Sequence, residues 1–201
     1  MATIQQIKFK IEKDKLVVFS CYDFLSLGNY KSVCKSLERL VNQQCIIRLV
    51  EGLFAACRQN KILGIIEPVS SEDIVEALAR KYQWKIAPAG PMALNRLGLS
   101  QQVPNLLTYV STGPYKKVKI ANYSIEFRHS YGKDLITCSP LTVSLGQALR
   151  VLGPERCDET LLRTVFERLP PQSRSQVIKE AGYLPLWMSR LILGASKVKA
   201  Q

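Results

Sequence analysis

The most constraining feature of this chain is an apolar periodicity within residues 29–44, whose sequence is NYKSVCKSLERLVNQQ. Apolar side chains recur there at positions i, i+4, i+7 and i+8, the spacing that places them on one face of an α-helix. The members of this face are Val33, Leu37, Leu40 and Val41, with Tyr30 beside them. We therefore predict an amphipathic helix whose polar face is either solvated or available for binding.

The segments on either side of this helix predict a DNA-binding motif. Ser20 is suited to cap a short helix over CYDFLSL, Gly28 to end it, and Asn29 to cap the longer helix. Downstream, the strand-like runs CIIRLV and LFAACR flank Glu51 and Gly52, which predicts a β-hairpin. Short helix, turn, longer helix and hairpin is the order of a winged helix-turn-helix, whose second helix enters the DNA major groove.

The rest of the chain predicts a second domain that combines helices with a small antiparallel sheet. Helical periodicity covers residues 70–84, a strand-like run covers 106–111, and alternating residues over 116–129 predict a hairpin. The C-terminal part is predicted to be helical. We therefore predict an α+β fold, with a winged helix-turn-helix over residues 1–60 and an α+β interaction domain with C-terminal helices over 61–201.

The charge balance predicts an acidic partner. The net charge is +12 with a pI near 9.5, which is typical of a protein that binds nucleic acid or an acidic protein surface. The basic residues are spread along the whole chain, so charge alone does not locate a site. No apolar run reaches the roughly 18 residues that a membrane span needs, and the first residues lack a secretory pattern. We expect a soluble, cytoplasmic protein that does not bind membranes.

No motif in the chain predicts catalysis, a cofactor or a metal. The six cysteines include no CxxC pair, and His129 is the single histidine, so zinc-ligand spacing is missing. The cysteines are expected to be small, buried or half-buried thiols in a reducing compartment. The motifs GxxxxGK[ST], HExxH, GxSxG and GxGxxG are also missing, as are D-x-D and D-x-E. We expect a protein that is not an enzyme.

The candidate DNA-binding residues lie on the predicted helix and hairpin. Lys31, Ser32 and Lys35 would contact the groove near the helix N-terminus, and Arg39, a turn further on, would contact guanine or phosphate. In the hairpin, Arg48 and Arg58 would approach the minor groove or flanking phosphates. The alternative is that the helix residues form an ordinary solvated face and the arginines protect an edge hairpin from aggregation. Two acidic residues, Glu38 and Glu51, oppose DNA binding at these places.

Two further groups of residues have a functional and a structural interpretation. Four basic residues of the predicted 116–129 hairpin would bind an acidic partner or extend a DNA track, or else they form a solvated sheet face. They are Lys116, Lys117, Lys119 and Arg128. Asn95 and the following LGLS run suggest a ligand pocket, but we expect the Asn to bond local backbone and the Gly to close a helix.

Residues 89–120, AGPMALNRLGLSQQVPNLLTYVSTGPYKKVKI, resemble a segment of the bacterial AbiEi-type antitoxins. In that family an Ala-x-Asn-x-Leu-Gly-Leu-Ser run and a Gln-Val-Pro precede a strand and a Gly-Pro turn. The N-terminal stretches YDFLSLGNYKSVCKSLERLV and IIRLVEGLF are similar to the family's helix-turn-helix and wing. The resemblance covers roughly residues 16–152. The chain departs from it at NQQC, where the family usually has a Gly, and from Pro170 onward, where nothing matches.

The resemblance implies an antitoxin of a type IV toxin–antitoxin or abortive-infection pair. Its winged helix would bind the pair's own promoter, and its second domain would neutralise a nucleotidyltransferase-like toxin. A second hypothesis is a protein-interaction module, in which the winged helix and the second domain dock partners without sequence-specific DNA binding. The two hypotheses differ in whether the protein prefers one DNA sequence over another.

Overall fold

The structure is a computed structural model that describes residues 2–57, 68–120 and 122–197. It is a mixed α+β structure with two small sheets. The chain divides into two compact units, one formed by Met1–Trp84 with Ile120–Asn122 and the other by Lys85–Lys119 with Tyr123–Gln201. The boundary predicted between residues 60 and 61 lies outside the described residues.

The first unit contains four helices and a three-stranded sheet within the described residues. In chain order these elements are α1 (Ala2–Lys13), β1 (Val18–Phe19), a 3₁₀ helix (Cys21–Leu27), α2 (Tyr30–Asn42), β2 (Ile46–Val50), β3 (Leu53–Ala56) and α3 (Ser71–Tyr82). The sheet order is β1-β3-β2, and both pairs are antiparallel. The hairpin predicted around Glu51 and Gly52 is therefore confirmed, and Gly52 adopts a positive φ of 75° at its turn.

Local side-chain bonds explain where the 3₁₀ helix and α2 begin. The Ser20 backbone N–H and hydroxyl both donate to the Asp23 carboxylate, at 2.7 and 3.0 Å. The Asn29 side chain accepts a hydrogen bond from the Ser32 N–H at 2.8 Å and caps α2. The bonds from the Ser20 and Ser32 N–H groups satisfy backbone donors that a helix N-terminus leaves unpaired. Both predicted caps are confirmed.

The apolar face of α2 packs into the core of the first unit. Val33, Leu37 and Leu40 are completely buried, together with side chains of α1, β1 and the 3₁₀ helix. The prediction that Tyr30 belongs to this face is wrong, because its side chain is 50% exposed. Tyr30 is the first residue of α2, where its ring extends beyond the core and packs against the exposed ring of Tyr22 at a centroid distance of 5.6 Å.

Helix α3 completes the first unit. Ser70 caps it by accepting a hydrogen bond from the Asp73 N–H at 3.1 Å. Near its other end, Arg80 donates to the Asp23 carboxylate at 2.9 Å and to the Val18 carbonyl at 2.7 Å. Arg80 thereby ties α3 to β1 and to the 3₁₀ helix.

The second unit contains a four-stranded sheet and a set of helices. Its elements are β4 (Ile86–Pro88), α4 (Gly90–Arg96), β5 (Leu106–Ser111), β6 (Lys116–Ile120), β7 (Tyr123–His129), α5 (Asp134–Thr137), α6 (Pro140–Leu152), α7 (Glu159–Arg168), α8 (Pro171–Glu180) and α9 (Leu186–Lys197). None of the helices within the described ranges combines the length and apolar character that crossing a bilayer requires.

The sheet of the second unit corrects one prediction, because it is mixed and not antiparallel. Its order is β4-β5-β7-β6; β4 pairs antiparallel with β5, whereas β5 pairs parallel with β7. The predicted hairpin pairing of β6 with β7 holds, but β6 lies at the sheet edge and β7 takes the place beside β5. In the chain, β6 comes between β5 and β7 and runs in the opposite direction to both. Strands β5 and β7 therefore run in the same direction.

The C-terminal segment forms part of the core of the second unit. Val177, Met188 and Ile192 are completely buried against residues of α4, α6 and α7. Glu180, at the end of α8, accepts hydrogen bonds from the Ser139 N–H at 2.9 Å and the Ser139 hydroxyl at 2.8 Å, at the start of α6. The segment after Pro170, whose role the sequence leaves open, is therefore structural.

The LGLS motif also has a structural role. The Asn95 amide donates to the carbonyls of Ser100 and Gln102, at 3.2 and 3.0 Å, and so folds the loop back on α4. Gly98 follows with a φ of 68°, and its N–H donates to the Asn95 carbonyl at 2.9 Å. These contacts agree with the structural interpretation of Asn95 and Gly98.

Candidate nucleic-acid interface

The outer face of α2 presents four of the predicted DNA-binding residues to solvent. Lys31, Ser32, Lys35 and Arg39 are all exposed, opposite the buried face of the same helix. Lys31, Lys35 and Arg39 are spaced four residues apart, so they follow one line along the helix. Within the part of the chain that the structure describes, none of these three cations lies in an ion pair. The face is therefore basic and accessible.

Arg48 is placed differently, because its charge is already partly compensated. Its guanidinium lies 3.6 Å from the Glu38 carboxylate, which joins β2 to α2. It also lies over the ring of Phe54, at 5.4 Å from the ring centroid. Its side chain is nevertheless 45% exposed. Arg58, the other predicted hairpin contact, lies outside the described residues.

A shallow depression runs along the outer face of α2. It includes two residues that the sequence analysis did not assign to the site, Tyr30 and Cys34. Its lining consists of Tyr30, Lys31, Ser32, Cys34, Lys35 and Glu38. A side-chain hydrogen bond with Cys34 raises the pKa of Tyr30 to about 12. The sequence gives no signal for the exposure of Tyr30, because Tyr30 has the same helical spacing as the buried residues of α2.

The second basic group gathers around a carboxylate that sequence reasoning missed. Lys117 and Arg128 lie 3.5 and 2.8 Å from Glu126, and the Tyr115 hydroxyl donates to the same carboxylate at 2.7 Å. Glu126 is only 4% exposed. The hydrogen bond from Tyr115, together with the Arg128 and Lys117 charges, lowers the pKa of Glu126. Contact with Tyr115 and Glu126 raises the pKa of Lys117.

The two other members of this group differ in exposure. Lys119 is exposed and Lys116 is half-buried. Two of the four predicted cations are thus partly neutralised, which leaves this surface less basic than the sequence indicates. The outer face of α2 is the stronger candidate for a polyanion.

His129 contacts a backbone carbonyl and a tyrosine ring. Its Nδ1 lies 2.8 Å from the Gly113 carbonyl, and its ring packs edge-on against Tyr131 at 4.3 Å. Among the described residues, no group of three or more His, Cys, Asp or Glu side chains has an arrangement that could hold a metal ion.

These features define an α+β protein of two units, with an exposed basic helix face in the first. The chain belongs to the DUF6088 family, a family of unknown function, whose model matches residues 5–176. The match covers most of the first unit and part of the second, and it ends within α8. No curated protein matches the chain.

Proposed function

We propose that this protein is a non-catalytic, DNA-binding transcriptional regulator whose first unit acts as a winged helix-turn-helix. The observation that carries this proposal is the line of Lys31, Lys35 and Arg39 on the exposed face of α2, without ion-pair partners among the described residues. The order of the 3₁₀ helix, α2 and the β2–β3 hairpin supports it. In such motifs the second helix lies in the major groove and the hairpin lies beside it.

The proposed contacts divide by their chemistry. Lys31 and Ser32, in the first turn of α2, approach base edges, while Lys35 contacts phosphate. Arg39 binds guanine through its two-pronged guanidinium or contacts phosphate. Arg48 reaches a flanking phosphate when its contact with Glu38 opens. Each phosphate contact displaces counterions, so binding weakens steeply as salt concentration rises.

The resemblance to AbiEi-type antitoxins supports a further part of the proposal. The protein represses its own promoter in the bacterial cytoplasm and neutralises a nucleotidyltransferase-like toxin through its second unit. Lys116, Lys117, Lys119 and Arg128 are the basic residues of that unit proposed to contact an acidic toxin surface. A product encoded beside this gene that co-purifies with the protein would identify the toxin.

A second candidate function is protein docking through the same first unit. The exposed, adjacent rings of Tyr22 and Tyr30 favour it, because tyrosine is enriched in protein interfaces. The partial neutralisation of Arg48 by Glu38 also fits this alternative. In that case DNA binding would depend on net charge alone.

Fluorescence anisotropy separates the two functions. The full chain is titrated against a duplex from its own upstream region and against a scrambled duplex of equal length, at two salt concentrations. We expect the upstream duplex to bind roughly a thousandfold or more tightly than the scrambled one. Equal, weak and salt-sensitive binding to both would refute specific regulation and favour the docking function.

A further inference from the structure

Two cysteines of the first unit face each other between the 3₁₀ helix and α2. Cys21 is the first residue of the 3₁₀ helix and is buried, whereas Cys34 lies one turn into α2 and is half-buried. They are 13 positions apart in the chain, yet their Sγ atoms are 2.7 Å apart. A disulfide bond is about 2.05 Å long, so the two sulfurs need to move together by less than about 1 Å to form one.

Cys34 is accessible to a small oxidant. It lines the shallow depression on the outer face of α2, while Cys21 lies beneath it in the core. Cys138 and Cys157 differ from this pair, because the sulfur of each contacts a backbone carbonyl at 3.9 Å. Cys34 is thus an accessible thiol, and its sulfur is in direct contact with the buried thiol of Cys21.

We propose that Cys21 and Cys34 form a reversible oxidation site, at which a hydroperoxide converts the two thiols into a disulfide that joins the 3₁₀ helix to α2. This inference goes beyond the proposed regulatory function and does not rest on it. In a reducing compartment such disulfides are transient and typical of redox sensing.

The reaction has two balanced steps. The Cys34 thiolate attacks one oxygen of the hydroperoxide, the O–O bond breaks, and Cys34 becomes a sulfenic acid, while the leaving hydroxide or alkoxide takes up the proton that Cys34 lost and becomes water or an alcohol. The Cys21 thiolate then attacks the Cys34 sulfur, the S–S bond forms, and hydroxide leaves and takes up the proton that Cys21 lost. Overall, two thiols lose two electrons to one peroxide bond. A dithiol reductant reverses the change.

The burial of Cys21 fits its role as the second thiol. Desolvation and the hydrogen bond with Cys34 raise the pKa of Cys21 to about 12, while the Lys81 charge on α3 acts in the opposite direction. Because the thiolate is the nucleophile, a raised pKa makes Cys21 the less reactive of the two thiols toward a peroxide. The finished disulfide restricts the unfolded chain, so it stabilises the first unit against unfolding.

The test uses the full-length, fully reduced protein and hydrogen peroxide at a small molar excess. After alkylation of the remaining thiols, peptide mapping is expected to find a Cys21–Cys34 cross-link, with a mass loss of two hydrogens per chain that dithiothreitol reverses. The midpoint of thermal unfolding should rise by several degrees. Oxidation of other cysteines while both Cys21 and Cys34 remain alkylatable would overturn the proposal.

Variants make the assignment specific. Cys157→Ser, a half-buried cysteine outside the pair, should leave the cross-link and the thermal shift unchanged. Cys34→Ser should abolish both, and Cys21→Ser should leave a Cys34 sulfenic acid that dimedone labels quantitatively. If Cys21→Ser fails to fold, dimedone is added to the wild-type protein during oxidation, where it competes with disulfide closure and is expected to label Cys34 and not Cys21. Labelling of Cys21 ahead of Cys34, or a cross-link that persists in Cys34→Ser, would also overturn the proposal.

Discussion

The carboxylate of Glu38 lies 3.6 Å from the guanidinium of Arg48 and connects the exposed face of α2 with the first strand of the hairpin. Both side chains are substantially exposed, 58% for Glu38 and 45% for Arg48. An ion pair with this exposure contributes about 1 kcal/mol or less to stability. Its larger effect is on the surface potential, because Glu38 compensates the charge of Arg48 and places a carboxylate between Lys35 and Arg39 on α2.

We predict that Glu38→Gln strengthens DNA binding. The substitution removes a negative charge from the proposed interface and frees Arg48 to contact a phosphate. Affinity at low salt should rise severalfold, and the slope of log affinity against log salt should steepen by about 0.9 for one added phosphate contact. Anisotropy titrations over a salt series measure both quantities.

Glu167→Gln is the matched control for this substitution. Glu167 is exposed on α7 of the second unit, so the change alters the net charge equally but outside the proposed interface. We expect only a small change in affinity. Equal gains in the two variants would mean that net charge alone determines binding, and would contradict the assignment of the interface to α2.

Reversing two charges on α2 should abolish DNA binding without unfolding the protein. Lys35→Glu with Arg39→Glu replaces two proposed contacts by repulsive groups, and we expect a loss of affinity of at least roughly a hundredfold at equal salt. Both side chains are exposed, so the thermal unfolding midpoint should change little. Arg156→Glu with Lys179→Glu, which are exposed in the second unit, changes the net charge equally. Unchanged affinity in the α2 variant would refute the recognition-helix assignment.

The sequence predicts α2 and its caps well because their determinants are local. Val33, Leu37 and Leu40 are separated by helical intervals, and Asn29 bonds a backbone N–H only three residues away. The helical spacing and the cap both depend on residues within or directly before α2. Tyr30 has the same spacing, yet it is exposed. Periodicity predicts which face of the helix a side chain lies on, but it does not predict how far along the helix the core extends.

The features that sequence analysis missed depend on non-local pairing. Alternation over β7 indicates which residues share a sheet face, but it does not specify that β5 is the neighbour or that the pair is parallel. The cluster around Glu126 requires Tyr115 and Arg128 to converge from separate places in the chain. Likewise, the contact between Cys21 and Cys34 exists only once the turn at Gly28 brings their helices together.

The stability of the second unit should fall in acid through Glu126. The pKa of Glu126 is lowered in the folded protein by the Tyr115 hydrogen bond and by Arg128 and Lys117. A depressed folded pKa means that the ionised carboxylate stabilises the fold above the pKa of an unfolded Glu, about 4.3. This contribution is lost as pH falls from that value through the folded pKa. Urea unfolding at pH 7 and at several values between about 5 and 2 measures the loss.

The substitution Glu126→Gln isolates this contribution. The variant should be less stable than the wild type at pH 7, and its stability should decline less as pH falls. Glu167→Gln, an exposed residue of α7, should follow the wild-type pH dependence. An identical acid response in the wild type and Glu126→Gln would show that the cluster around Glu126 does not contribute to pH-dependent stability.

Two residues of α9 test whether the C-terminal segment is part of the folding unit. Met188 is completely buried, whereas Leu186, two positions earlier, is 66% exposed. Met188→Ala removes buried apolar atoms and leaves a cavity, so the free energy of unfolding should fall by about 2–5 kcal/mol. Leu186→Ala removes an exposed side chain on the same helix and should cost no more than about 0.5 kcal/mol. Urea denaturation of both variants measures the difference, and equal, small effects would mean that α9 does not contribute to the cooperative core.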